Sequence, residues 1–71
     1  MLSVKDLKAE IVRNGETVKS VALKLGMDRG TFYRKMNGVS DFTRADIQKL
    51  VEMLKLSGAD AMRIFFANEV A

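Results

Sequence analysis

The sequence predicts an all-α domain of five helices, and three observations carry that reading. Apolar residues recur at helical spacing through the whole chain, no proline interrupts any of the periodic stretches, and hydroxyl or carboxylate capping residues stand before them. At 71 residues the chain has room for one domain. A domain of that size buries only about 60% of its unfolded surface, so a compact helical core over residues 1–71 is the feasible solution. The 48% hydrophobic fraction is ample for it.

The first helix is expected over Val4–Arg13, with Ser3 and Asp6 as a capping box and Leu2 stapling onto Leu7. Val4, Leu7, Ile11 and Val12 form its expected buried stripe, while Lys5, Lys8, Glu10 and Arg13 face water. Asn14-Gly15 ends it. Thr17 caps the second helix, whose apolar face is Val18, Val21, Ala22 and Leu25. Gly26 supplies the left-handed residue that stops this helix, and Asp28 caps the third. Ala22 and Gly26 sit where two steeply crossing helices would approach most closely. The third helix buries Phe32 and Met36, with the stem of Lys35 beside them, and Met27 staples onto Phe32. Asn37-Gly38 closes it. After a loop that contains Val39, Asp41 and Phe42, Thr43 and Asp46 make a second box, and Phe42 staples onto Ile47. Ile47, Leu50, Val51 and Leu54 then form the stripe of helix four. Ser57 and Asp60 make a third box before helix five, which buries Ala61, Ile64 and Phe65.

Residues 17–38 thus read as helix, turn, helix. Thr17 before the first of these helices, Ala22 inside it, Gly26 in the turn, buried Phe32 and the closing Asn37-Gly38 make this stretch resemble the phage lambda repressor and Cro family. With helices on both sides, the resemblance covers nearly the whole chain. It departs at Val18, where the family often carries a glutamine that braces the recognition helix and touches a phosphate. The resemblance implies sequence-specific binding of duplex DNA, with the third helix in the major groove and a homodimer on a pseudo-palindromic operator whose half-sites lie about 34 Å apart. It also implies that Arg29, Gly30 and Arg34 read bases and that Thr17, Asn37 and Arg44 clamp the sugar-phosphate backbone. Asp41 departs from the basic character common in that loop.

The residues themselves point the same way. The net charge is +3, and residues 19–44 hold six basic groups against Asp28 and Asp41, so all of the excess lies on the helix-turn-helix and the loop after it. A solvated face of uneven charge is the plain alternative. Arg29 and Arg34 flank the outer face of helix three, and a guanidinium donates two hydrogen bonds to guanine O6 and N7. Tyr33 between them is a further base or phosphate contact, or an exposed tyrosine resting on its neighbours. Lys19 joins the backbone contacts. Gly30 costs helix propensity in the first turn, which either lets the helix sit deeper in a groove or is simply tolerated there.

Met62 and Phe66 fall partly off the buried face of helix five. They are read either as cover for the core or as a subunit contact. The absence of cysteine and histidine leaves little basis for a metal site, a cofactor or catalysis, so no enzyme is expected. No small-molecule ligand is expected either. No apolar run nears the ~20 residues of a membrane span, and the cytoplasm is the default compartment. The expected function is a Cro-like or short phage-type transcriptional repressor. Its rival is a protein-interaction module of the same fold, an antitoxin or anti-repressor whose third helix docks a protein.

Overall fold

Each helix of the fold starts on a side chain that accepts a hydrogen bond from its own first turn. The computed structural model describes residues 2–66, with α1 (Val4–Arg13), α2 (Val18–Lys24), α3 (Arg29–Met36), α4 (Arg44–Met53) and α5 (Gly58–Phe65) in order. No strand occurs among the described residues. The N-caps are Ser3, Thr17, Asp28, Thr43 and Ser57, and three of them close reciprocal boxes: Thr43 with Asp46, Ser57 with Asp60, and Thr17 with Ser20.

The expected box at Ser3 forms only in half. Ser3 Oγ accepts the Asp6 N–H at 3.3 Å, but the Ser3 N–H donates to the Ile64 carbonyl at 2.6 Å and has no use for a carboxylate. Asp6 turns instead to Arg63, at 3.3 Å. A tertiary contact has displaced a local one.

The ends of α1 to α4 share one device. In each, an N–H two residues past the cap reaches back to a helix carbonyl: Glu16 to Ile11, Met27 to Ala22, Val39 to Arg34, Leu56 to Val51, all within 3.1 Å. This closure requires a left-handed residue in between. Glycine supplies it three times, Gly26 with φ 76°, but in α4 the position is Lys55, at φ 55°. No atom lies within 4 Å of a Cβ placed on Gly26, so conformation and not a tight crossing demands glycine there. At Lys55 the side chain is a liability. Lys55→Gly is expected to raise stability by about 0.5 to 1 kcal/mol, relief of the left-handed strain exceeding the entropy glycine adds to the unfolded chain. Urea unfolding of the variant checks this, and an unchanged or lower midpoint would refute it.

α1 packs on α2 and α5, and α2 packs on α3. Leu7 and Ile11, Val21, Ala22 and Leu25, Phe32 and Met36, Leu50, Leu54 and Leu56, and Ile64 and Phe65 meet in one core, which Phe42 enters from the loop between α3 and α4. Two expectations for α1 are corrected. Val12 is 74% exposed, because Leu7 and Ile11 already define the buried face and Val12 lies a further 100° round from Ile11. Glu10 is buried, its carboxylate accepting from Arg13 Nε at 3.1 Å and Nη2 at 2.7 Å, with Arg63 3.7 Å away. Asn14 ties the ends of two helices together, donating to the carbonyls of Glu10 (2.8 Å) and Leu54 (3.1 Å).

Candidate nucleic-acid interface

α3 is eight residues long and uses Phe32 and Met36 to hold itself on the core. With those two facing inward, Arg29, Gly30, Tyr33 and Arg34 are all exposed on its outer side. The four expected base-contact residues therefore share one open surface. Its start is well anchored: Asp28 Oδ1 accepts the Thr31 N–H at 2.6 Å. Hydrogen bonds from the Thr31 amide and hydroxyl, and after them the nearby Arg34 charge, hold the Asp28 carboxyl below its usual pKa.

Arg34 does not simply extend into solvent. Its Nη2 donates to Thr31 Oγ1 at 3.1 Å, and its Nη1 lies only 3.7 Å from the place where Gly30 would carry a Cβ. The guanidinium is thus laid back along the helix, over Gly30.

The cations of residues 19–44 divide into two groups. Lys24 Nζ lies 2.5 Å from Glu16 Oε2, and Lys35 Nζ lies 2.8 Å from Asp46 Oδ2. Lys24 and Lys35 are therefore largely neutralised. Among the described residues, Lys19, Arg29, Arg34 and Arg44 take part in no ion pair, and all four are exposed. The surplus charge read from the sequence resides on these four.

The expected backbone contacts sit at helix ends. Thr17, exposed, is the N-cap of α2, where its Oγ1 accepts the Ser20 N–H at 3.0 Å and keeps its own hydrogen to donate. Lys19 is in the first turn of α2 and Arg44 opens α4. Asn37 is the C-cap of α3, with its side chain exposed.

Sequence reasoning missed Leu23. It is 77% exposed and lies in a shallow hollow with Met27, between Lys19 of α2 and Arg29 of α3. The signal was available, since Leu23 falls off the stripe of Val18, Val21, Ala22 and Leu25. The candidate subunit-contact residues lie one turn apart, the Phe66 N–H donating to the Met62 carbonyl at 3.0 Å. Met62 is exposed, whereas Phe66 packs on the core and lines a groove of about 490 Å³ with Leu2, Met36, Phe42, Ile47 and Phe65. Residues 67–71, which complete the awkward apolar end of the sequence, lie outside the described residues.

Among the described residues no three His, Cys, Asp or Glu side chains are grouped to hold a metal ion, and no helix is long and apolar enough to cross a membrane. Comparison with protein-family models, with curated proteins and with solved structures gave no match.

Proposed function

We propose that the chain is a sequence-specific double-stranded DNA-binding transcriptional regulator of the Cro-like or short phage-repressor kind. It inserts α3 into the major groove and binds its operator as a homodimer. The observation that carries this reading is the outer face of α3. Arg29 and Arg34 stand there with Tyr33 and Gly30, and Lys19 and Arg44 lie on the flanking helices. Among the described residues none of these four cations takes part in an ion pair, which supports base contacts from α3 and phosphate contacts beside it.

Titration of the protein against labelled random duplex, from low to high salt, tests the charge contribution. Binding that weakens linearly in log Kobs against log salt is expected. Selection from a random duplex library then tests readout, with a pseudo-palindromic site as the expected product. No duplex binding at low salt would end the DNA reading. The hollow that exposes Leu23 beside Lys19 and Arg29 favours the second reading, a protein-docking module, and that reading predicts no enrichment of any duplex sequence.

A further inference from the structure

Of the ion pairs among the described residues, Lys35–Asp46 is the one with both side chains most enclosed, at 16% and 13% exposed. It joins the last turn of α3 to the first turn of α4. The same Asp46 Oδ2 that meets Lys35 Nζ at 2.8 Å also accepts the Thr43 N–H at 3.0 Å, and Thr43 Oγ1 accepts the Asp46 N–H at 3.0 Å. One carboxylate thus builds the start of α4 and holds the end of α3. Burial pushes this carboxyl up, but the hydrogen bonds from Lys35 and Thr43 outweigh it and hold it below its usual pKa.

The two helices meet through the shared core, Phe32 and Met36 from α3 with Leu50 from α4 and Ile47 packed against them. α3 and α4 do not pack closely along their lengths, and the connection between them, residues 37–43, is without helix or strand. Among the described residues, Lys35–Asp46 is the ion pair that links α3 to α4 directly. Arg34 immediately precedes Lys35, and Arg44 stands two residues before Asp46. The brace therefore connects the helix that would meet bases to a cation that would meet phosphate.

We propose that Lys35 is a positioning residue and not a DNA contact: its ion pair with Asp46 holds α3 at the angle that lets Arg29, Arg34 and Arg44 engage one site together. This inference rests on the DNA-binding reading. It assigns a basic residue of the helix-turn-helix to geometry, and makes Asp46 a determinant of selectivity although it would repel a phosphate.

The test measures the affinity of the full chain for its selected site and for a scrambled duplex across a salt series, in wild type, Lys35→Met, Asp46→Asn and Lys35→Arg. Lys35→Met keeps the apolar stem and removes the charge. It should lower the selected-to-scrambled ratio about tenfold, as small misplacements of a binding constellation do, with the salt slope unchanged. Asp46→Asn keeps an oxygen for the Thr43 amide and releases the ammonium. It should also lower the ratio, while scrambled affinity rises and the salt slope steepens by about one. Lys35→Arg should restore the ratio. Equal loss on both duplexes in Lys35→Met, with a slope shallower by about one, would make Lys35 a phosphate contact and overturn the proposal. An unchanged ratio in both Lys35→Met and Asp46→Asn would overturn it as well, with the DNA reading left standing. A wild type that binds no duplex overturns both. Urea unfolding of each variant confirms that a folded chain is being compared, and Asp46→Asn alone decides the question if Lys35→Met does not fold.

Discussion

Phe42→Ala is expected to cost about 3 to 5 kcal/mol of stability, the range for removing a buried aromatic from a packed core. Phe42 lies in the loop between α3 and α4, and its ring meets Phe32 edge-on at 5.4 Å between centroids and Phe65 at 6.3 Å. It is the middle ring of three that link α3 to α5. Edge-to-face pairs of this kind add about 0.5 to 1.5 kcal/mol beyond the area they bury. Small domains hold only about 5 to 15 kcal/mol in total, so the variant should be largely unfolded or close to it at ordinary temperature. Phe42→Leu keeps most of the volume and should lose about half as much. Urea unfolding followed by circular dichroism measures both. A loss below about 1 kcal/mol in Phe42→Ala would mean that the loop is dispensable to the core.

The helix starts were legible because a cap is a local event: a side chain and an N–H three residues apart suffice, and Thr43, Ser57, Thr17 and Asp28 obey that rule. Where a distant group competes, the rule fails. Ser3 gives its N–H to Ile64, and Asp6 goes to Arg63, each more than fifty residues away in the chain. Glu10 is the same kind of case. Its burial depends on Arg13 beside it and on Arg63 of a helix that periodicity cannot orient. Helix ends were legible where glycine marks them and not at Lys55, because a lysine forced into the left-handed region looks like any other surface lysine. At the candidate interface, the outward face of α3 followed from the inward one. Which cations are free did not follow. Six basic groups were counted, and only the fold shows that Glu16 holds Lys24 and Asp46 holds Lys35.

If α3 reads bases, Arg29→Ala and Arg34→Ala should each lower affinity for the selected site by about 1 to 3 kcal/mol and relax selectivity at one position. Lys19→Ala and Arg44→Ala should behave differently, since a phosphate contact carries no base information. Those variants should lose affinity on every duplex alike, with a salt slope smaller by about one. Gly30 adds a geometric check. A side chain there would meet Arg34 Nη1 and Asp28 Oδ1, whose present distances from an added Cβ are 3.7 and 3.4 Å, ordinary contacts that leave the fold intact. Gly30→Gln should therefore keep or improve stability, since glutamine is the better helix former. It should nevertheless change or abolish site preference, by filling the space between helix and groove and by dislodging Arg34 from its place over the α-carbon. Because the two changes act on the same guanidinium, Gly30→Gln and Arg34→Ala should be non-additive, the double variant losing little more than the more damaging single. Affinity for the selected site and for its single-base variants, measured by fluorescence anisotropy, distinguishes these cases. Preserved sequence preference in Arg29→Ala, Arg34→Ala and Gly30→Gln together would remove α3 as the reading element and leave the protein-docking account, centred on the hollow around Leu23, as the better one.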